Sequence, residues 1–387
     1  MTGDVRAALA STRLAGRRPA WLEIDGPALA ANLHALRRAV GGRPVWAVVK
    51  ADAYGHGARL CAPVLEAAGA AGFVVALPEE GVALRTAGIR APILLSGGLP
   101  ADGADVLLAH DISLSLSDPA QLILLEEAAQ RVGRVAGFHL EIDTGMTRLG
   151  LDLAALDEFL RRLGGAPSCR LDAVLSHLAP IAEPGGEVAR RQLADLAASL
   201  DRVARATGRR PTAHLAASPA LCGFADAWLD AVRPGMLLYG IRPAAHLEPP
   251  AGLAPVLAWR AAVLLVREVP AGTPVGYEGT FRTTRRSRVA VLCVGYGDGL
   301  RREVAGHAWA IWRGQRLPYI GLVNMDLAQV DATEVADLRA GDIVTLVGED
   351  GGAGIRIDDL ARLTGRTAYE WVTGLAARLP RLSLDLE

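Results

Sequence analysis

Short apolar runs alternate with amphipathic segments from residue 45 to about residue 240. The runs are rich in Val, Leu and Ile and are bounded by Gly, Pro, Ser or Asp, which is typical of buried strands. The segments between them repeat apolar residues at helical spacing, and the Ser-Asp-Pro at 117–119 is a helix-start signal. Eight strands alternating with helices predict an α/β fold, a parallel (β/α)8 barrel of the TIM type. The predicted strands are 45–50, 72–77, 92–97, 113–117, 137–143, 171–178, 212–217 and 231–240.

The alternation of apolar runs with helical segments ends at the proline-rich stretch HLEPPAGLAP at 246–255. Apolar runs now follow one another at short intervals, separated by Gly and Pro turns, which favours an antiparallel β domain. We therefore expect a barrel domain over residues 1–250 and a β-rich domain over 251–387. An additional early strand, WLEID at 21–25, precedes the barrel and is a candidate to pair with the C-terminal domain.

Composition and charge narrow the function classes. A net charge of −1 gives no electrostatic reason to expect nucleic acid or an anionic membrane as partner. The one basic cluster, FRTTRRSR at 281–288, lacks interleaved aromatic residues and is predicted to be a solvated loop. No apolar run is long enough to span a bilayer, and the first twenty residues lack a continuous apolar leader segment, so a cytoplasmic location is expected. The four cysteines show no CxxC pairing, which favours neither a disulfide nor a metal site.

One residue stands out chemically. Lys50 is the only lysine among 41 Lys and Arg residues, and it ends the first predicted barrel strand. Catalytic residues of such barrels come from the C-terminal ends of the strands. A desolvated lysine has a lowered pKa and can form a Schiff base with a carbonyl, which arginine cannot do. The alternative is a chance surface remnant, but a surface lysine is the kind most easily exchanged for arginine.

The motif around Lys50, VVKADAYGHG at 48–57, resembles the pyridoxal-phosphate attachment motif of the alanine racemase family. The resemblance extends from RPAWLEIDGPAL at 18–29 to TAYEWVTGLAARLPR at 367–381. It implies a barrel with a C-terminal β domain, a pyridoxal 5'-phosphate (PLP) cofactor held by Lys50 as a Schiff base, and a second role for Lys50 as one of two catalytic bases. The resemblance also implies that Tyr54 binds the cofactor phosphate.

Further cofactor contacts follow from the same resemblance. Arg148, in DTGMTRLG, is expected beside the cofactor's phenolic oxygen and the substrate carboxylate. His177 is expected near the catalytic tyrosine, although a structural histidine at a strand end fits its position equally well. Arg233 is expected at the pyridine nitrogen, which a donor-only guanidinium keeps unprotonated. The remaining cofactor contacts expected are Ser218, Gly235, Met236 and Tyr239.

The predicted β domain supplies the other half of the site. The resemblance makes Tyr277, in VGYEGT, the second catalytic base and places Tyr296 near it, although buried core tyrosines would also fit these two positions. The backbone amide of Met325 is expected to bind the substrate carboxylate, and Tyr369 to narrow the entrance. Racemisation removes a proton on one face and delivers one on the other, which needs two opposed bases. In the family the second base comes from the partner subunit, which implies a homodimer with composite active sites.

The sequence thus predicts a PLP-dependent racemase that interconverts L- and D-alanine through Lys50 and Tyr277. Several positions depart from the common family text and leave the amino-acid substrate open: Glu141, Ala217, Glu278, Leu322 and Asn324. The alternatives are a racemase for another amino acid, a PLP-dependent decarboxylase and a non-catalytic PLP-binding protein. Arg233 argues against the decarboxylase, because those enzymes place a carboxylate against the pyridine nitrogen. The second domain argues against the single-barrel binding proteins.

Overall fold

The computed structural model describes residues 19–98, 103–180 and 182–384. The chain forms two compact units: one is Pro27–Ala254, and the other joins the described residues up to Gly26 with Pro255 onward. The prediction that the first twenty residues contain no apolar leader segment concerns residues 1–18 almost entirely. These residues lie outside the described ranges.

The first unit contains eight parallel strands in sequential order, β2 to β9. Val45 forms a parallel bridge with Val232, and this bridge joins the first and last strands and closes the sheet. The predicted (β/α)8 barrel is therefore confirmed. The strands are β2 (Trp46–Val48), β3 (Gly72–Val75), β4 (Ile93–Leu95), β5 (Ile112–Leu116), β6 (Ala136–Glu141), β7 (Cys169–Leu175), β8 (Thr212–Ala217) and β9 (Ala231–Arg233).

The last predicted strand, 231–240, is wrong beyond Arg233. Pro234 has no amide hydrogen, so it cannot continue the ladder as a donor, and its carbonyl instead accepts from Val48 N at 3.1 Å. Met236–Tyr239 then forms a 3-10 turn. The polypeptide consequently bends at the end of β9, where the sequence pattern predicted a straight strand.

Helices follow most of the strands. Helix α5 begins where the Ser-Asp-Pro signal predicted it, because Asp118 Oδ1 accepts from Ala120 N at 2.6 Å as an N-cap. No helix in the described ranges is both long and apolar enough to cross a membrane. The helices of this part of the chain are α1 (Gly26–Ala39), α2 (Ala58–Ala67), α3 (Pro78–Thr86), α4 (Ala104–Ala109), α5 (Pro119–Val132), α6 (Leu156–Leu163), α7 (Glu187–Thr207) and the short α8 (Ser218–Leu221).

The helices pack on the barrel through apolar side chains. Phe138 on β6 meets Phe159 on α6 edge to face, with ring centroids 6.1 Å apart, and both side chains are fully buried. Burying an aromatic side chain of this size contributes roughly 1.5–3 kcal/mol. This layer holds the strand ends, and the polar residues that follow them, in fixed positions.

The second unit is built on a nine-stranded sheet. Its central strand, β10, pairs with β1 and β17 through its first half and with β13 through its second half. All pairings are antiparallel except that of β1 with β19, which confirms the predicted antiparallel character of this part. The sheet strands are β1 (Ala20–Ile24), β10 (Leu257–Val269), β13 (Ser287–Leu292), β14 (Trp309–Trp312), β15 (Gln315–Pro318), β16 (Ala328–Asp331), β17 (Ile343–Asp350), β18 (Ala353–Ile355) and β19 (Arg381–Ser383). A separate hairpin comprises β11 (Pro274–Val275) and β12 (Phe281–Arg282), and helices α9 (Ile357–Thr364) and α10 (Ala368–Thr373) complete the unit.

A buried ion pair links β1 to β10. Arg260 Nε donates to Glu23 Oε2 at 3.1 Å, and the two residues are 5% and 4% exposed. Arg260 also donates to the hydroxyl of Thr345 on β17, and Trp21 Nε1 donates to Glu23 Oε1 at 3.3 Å. The early strand is therefore tied to the sheet by charge as well as by its backbone.

Glu23→Ala should destabilise the protein by about 3–5 kcal/mol, because it leaves the Arg260 charge buried without its partner. Urea unfolding measures the free energy of unfolding. The matched control is Glu268→Ala. Glu268 lies on β10, the strand that carries Arg260, and it pairs with Arg286 at the surface. The control should change stability by less than about 1 kcal/mol. Equal losses of unfolding free energy in the two variants would show that the buried ion pair matters no more than the surface pair.

Candidate functional site

Lys50 lies just beyond the C-terminal end of β2 and begins an unusual turn. The four residues after it, Ala51 to Tyr54, all have φ between 52° and 54°, so they form a left-handed turn without glycine. This conformation costs roughly 1–2 kcal/mol per residue. Such strain persists only where the surroundings fix it, and it is concentrated at functional sites.

Two residues of the same motif hold this turn. Asp52 Oδ1 accepts from Ala58 N at 2.7 Å, which links the turn to the start of α2. The buried ring of His56 lies 3.0 Å and 2.9 Å from the carbonyl oxygens of Ala53 and Tyr54, measured from Nδ1. Both residues belong to the motif around Lys50, but the sequence alone indicated no role for them. Their function in the structure is to stabilise the backbone that presents Lys50.

The environment of Lys50 favours its neutral form. Burial lowers the pKa of the half-buried amine, and the positive charges of Arg148 and then Arg233 lower it further. The carboxylates of Glu80 and Glu141 oppose this effect and raise the pKa. A lysine with a lowered pKa holds more free base at neutral pH, and only the free base is a nucleophile or a proton acceptor.

Arg233 is buried at the end of β9. Its Nη1 donates to Nδ1 of His214 at 2.6 Å and to the His214 carbonyl at 2.7 Å, while Nη2 donates to the Ser176 carbonyl at 2.7 Å. Burial lowers the pKa of Arg233 to about 10, which leaves it cationic at neutral pH. A guanidinium fixed in this way can only donate to a ligand.

A second buried histidine extends the arrangement. His139 Nδ1 lies 3.0 Å from His214 Nε2. Burial lowers the pKa of His139 to about 4 and lowers the pKa of His214 strongly, so both rings are neutral at neutral pH. Because Arg233 donates to His214 Nδ1, the His214 proton lies on Nε2 and is donated to His139. Neither histidine was predicted from the sequence, where the signal is a histidine within each of two apolar strands.

An anion cradle forms where α8 meets the segment after β9. Ser218 Oγ accepts from Gly235 N at 2.9 Å and from Leu237 N at 3.4 Å, which leaves its O–H to donate. A Cβ on Gly235 would lie 2.7 Å from Tyr54 Oη, so the glycine allows the phenol to approach this backbone. A serine hydroxyl and a phenol beside the same backbone turn suit a phosphate group.

The two other residues of this segment that were predicted to contact the cofactor, Met236 and Tyr239, are fully buried. Met236 begins the 3-10 turn after Gly235, and Tyr239 ends it. The Tyr239 hydroxyl donates to the Val48 carbonyl at 3.0 Å, and its ring stacks on His56 with centroids 4.3 Å apart. Tyr239 therefore supports the strand end that precedes Lys50.

Arg148 stands on a closed loop after β6. Asp143 N donates to Leu151 O at 3.0 Å, and Leu151 N donates to Glu141 O at 2.7 Å. These two hydrogen bonds join the two ends of the loop. The Asp143 carboxylate accepts from three amides inside it, those of residues 145, 146 and 147, at 2.9 to 3.0 Å. The exposed side chain of Arg148 is thus carried by a well-defined backbone.

Two ionisable groups complete the barrel part of the site. Glu141 is 6% exposed and accepts from Ser115 Oγ at 2.8 Å; burial raises the pKa of its carboxyl, against the opposing effects of Ser115, Arg233 and Arg148. His177 follows β7, and burial together with nearby positive charge lowers its pKa to about 3. His177 is therefore neutral at neutral pH.

The second unit gathers the other predicted residues around one segment. Tyr296 N donates to Asn324 O at 2.9 Å, and Gly297 N donates to Met325 O at 2.8 Å. A Cβ on Gly276, which precedes Tyr277, would lie 3.4 Å from Leu322 N. The side chains of Tyr277, Tyr296 and Met325 are 69%, 45% and 55% exposed, so they are not buried core residues of this unit.

A charged residue beyond the end of α10, Arg378, holds this segment. Arg378 donates to Asp298 Oδ1 at 2.8 Å and to the Met325 carbonyl at 3.3 Å, and it pairs with Asp326 at 3.0 Å. Tyr369 lies half-buried on α10, whose Glu370 carbonyl accepts from Arg301 at 2.9 Å. The backbone around Met325 is consequently held from two sides.

The chain resembles known proteins over almost its whole length. The model described as alanine racemase, N-terminal domain, matches residues 24–243, and that described as alanine racemase, C-terminal domain, matches 256–383. The alanine racemase of Symbiobacterium thermophilum is 39% identical over 368 residues, which cover 95% of this chain and 98% of the relative. The crystal structure of alanine racemase from a D-cycloserine-producing Streptomyces lavendulae superposes with a TM-score of 0.91 at 34% identity, covering 96% of this chain and 98% of that one.

A further crystal structure bears on the cofactor. The alanine racemase of Bartonella henselae, with covalently bound pyridoxal phosphate, superposes with a TM-score of 0.85 at 30% identity and covers 95% of this chain and 99% of that one. In chain order, the first family model matches most of the unit Pro27–Ala254, and the second matches most of the chain from Pro255 onward. The chain belongs to the alanine racemase family.

Proposed function

We propose that this protein is a PLP-dependent alanine racemase. The observation that carries the proposal is Lys50: it is the only lysine of the chain, it stands at the C-terminal end of a barrel strand, and its pKa is lowered by burial and by two arginines. These are the properties that a Schiff-base lysine needs. The family and the covalently bound pyridoxal phosphate of the Bartonella henselae relative support the same cofactor.

The residues of the first unit fit this cofactor chemically. Tyr54, Ser218 and the amide of Met236 offer donors to a phosphate, and Gly235 leaves the space that the Tyr54 phenol needs. Buried Arg233 offers only N–H donors to a ring nitrogen. The neutral histidines behind Arg233 leave it the only positive charge in that part of the network. PLP, when bound, supplies an electron-withdrawing ring that acidifies the α-proton of an attached amino acid.

The proton transfers then belong to two residues of the protein. Lys50 Nζ removes or returns the α-proton on one face, and Tyr277 Oη does so on the opposite face. Arg148 and the Met325 amide hold the substrate carboxylate, and Tyr296 and Tyr369 limit the space around it. The exposed Tyr277 acts in the site of the partner subunit, which makes the enzyme a homodimer with composite sites.

Gly235→Ala should weaken PLP binding at least about tenfold, or 1.4 kcal/mol, because the new methyl group displaces the Tyr54 phenol from the cradle. Equilibrium dialysis against PLP measures the dissociation constant. Gly223→Ala is the matched control, since a Cβ there meets nothing within 4 Å. Unchanged affinity in Gly235→Ala would remove Tyr54 and Gly235 from the proposed phosphate site.

The substrate is tested by incubating the purified protein and PLP with each L-amino acid in deuterated water. We expect alanine to exchange its α-proton and to lose its chirality, as read by NMR and chiral chromatography. Inversion of a different amino acid instead of alanine would assign the protein to a paralogous racemase. No exchange with any amino acid would overturn the proposed function.

A further inference from the structure

Glu80 on α3 connects two strand ends of the barrel. Its Oε1 accepts from Ala51 N at 2.6 Å, and its Oε2 accepts from Ala76 N at 2.8 Å and from Leu77 N at 3.1 Å. Ala51 is the residue after Lys50, whereas Ala76 directly follows β3. One carboxylate therefore joins the start of the left-handed turn to the end of the neighbouring strand.

Helix capping explains only one of these three contacts. Glu80 is the third residue of α3, and its bond to the amide of Leu77, the residue before the helix, is an ordinary N-terminal capping contact. That role uses one oxygen. The other oxygen reaches the backbone 29 residues earlier in the chain, at a point that is not part of the helix.

The bond from Ala51 N bears directly on the orientation of Lys50. This N–H belongs to the peptide plane that links Lys50 to Ala51, so fixing it fixes the direction in which the chain leaves Lys50. On the other side of Lys50, Val49 N donates to Val74 O at 3.0 Å. Hydrogen bonds to a carboxylate are about twice as strong as those between neutral groups.

We propose that Glu80 is a positioning residue for Lys50, holding the strained turn in the conformation that directs the Lys50 amine at the cofactor. This inference rests on the proposed function, because it assigns Glu80 to the placement of the amine which that function uses. Glu80 need not touch substrate or cofactor. It acts through the backbone of residue 51 and through its negative charge.

The negative charge of Glu80 also affects the pKa of Lys50. Glu80 and Glu141 raise the pKa of Lys50, whereas burial, Arg148 and Arg233 lower it. Removing the Glu80 charge therefore lowers the pKa of Lys50 further. A general loss of folded protein would reduce the amount of active enzyme but would leave this pKa unchanged.

The test measures how fast the full-length protein binds added PLP as a function of pH, by the absorbance of the Schiff base at Lys50. Glu80→Gln removes the charge and one acceptor oxygen; Glu80→Asp keeps the charge but shortens the reach. For Glu80→Gln we expect the plateau of the rate at high pH to fall at least about tenfold, and the midpoint of the pH profile to move to lower pH. For Glu80→Asp we expect the plateau rate to fall in the same way, but the midpoint of the pH profile to stay unchanged.

Glu79→Gln is the matched control, because Glu79 is an exposed neighbour on α3, and it should behave as the unsubstituted protein. If the unsubstituted protein forms no Schiff base, the proposed function fails. If it does, and both Glu80 variants bind PLP with the plateau and midpoint of Glu79→Gln, the role of Glu80 is refuted. Should Glu80→Gln not fold, Glu80→Asp alone decides through its plateau rate.

Discussion

Lys50→Arg is expected to abolish racemisation, by at least about 10³-fold, while the protein stays folded. Arginine keeps the positive charge and the approximate length of the side chain, but it does not lose its proton in proteins and has no single nucleophilic amine. Both roles proposed for Lys50, attachment of the cofactor and proton transfer, are lost together. Racemisation of L-alanine is measured by chiral chromatography, and folding by circular dichroism.

The control for Lys50→Arg uses the rarity of lysine in this chain. In the unsubstituted protein, borohydride reduction followed by peptide mass spectrometry should place the cofactor on the one peptide that contains Lys50. Arg131→Lys adds a second lysine at an exposed position, and it should leave both the activity and the labelled peptide unchanged. Activity of Lys50→Arg within tenfold of the unsubstituted protein would rule out the proposed role.

The barrel could be predicted from the sequence because its strands are buried on both faces. Such strands appear as continuous apolar runs separated by helical patterns, and the connections alternate regularly. The same pattern could not show where each strand ends. The strand predicted over 231–240 stops at Arg233, since Pro234 interrupts the ladder and the following residues form the 3-10 turn beside Ser218.

Other features of the site depend on tertiary contacts that no local pattern carries. His139 and His214 lie 75 residues apart in sequence and meet only because β6 and β8 belong to one closed barrel. The left-handed turn after Lys50 consists of Ala, Asp, Ala and Tyr, and local preference would not predict this conformation for them. Resemblance to a family supplied expected roles for residues that contact the cofactor, but it did not supply residues that act through the backbone, such as Glu80.

Tyr277→Phe should slow racemisation by about 10²–10⁴-fold in both directions, because it removes the O–H proposed to serve one face of the substrate. Lys50 remains and still serves its own face. One enantiomer of alanine should therefore exchange its α-proton with deuterated water faster than it inverts, whereas the unsubstituted protein should exchange and invert both enantiomers.

Tyr319→Phe is the matched control for Tyr277→Phe. Tyr319 is 2% exposed, and among the described residues its hydroxyl has no hydrogen-bond partner, so its loss should leave the rate unchanged. The measurement combines NMR of α-deuteration with chiral chromatography of the same samples. A Tyr277→Phe enzyme that inverts alanine at the rate of Tyr319→Phe would exclude Tyr277 as the second base.

Mixed dimers extend this prediction to the origin of the second base. Lys50→Ala and Tyr277→Phe are each expected to racemise alanine at about a hundredth of the unsubstituted rate or less when alone. If Tyr277 acts in the partner's site, a dimer of one chain of each variant has one site with both bases intact, and random mixing should restore about a quarter of the unsubstituted activity. If Lys50 and Tyr277 of the same chain worked together, no mixed dimer would contain an intact pair, and the mixture would stay as inactive as its parents. Recovery of activity on mixing therefore requires composite sites, and it does so without any assumption about which amino acid is the natural substrate.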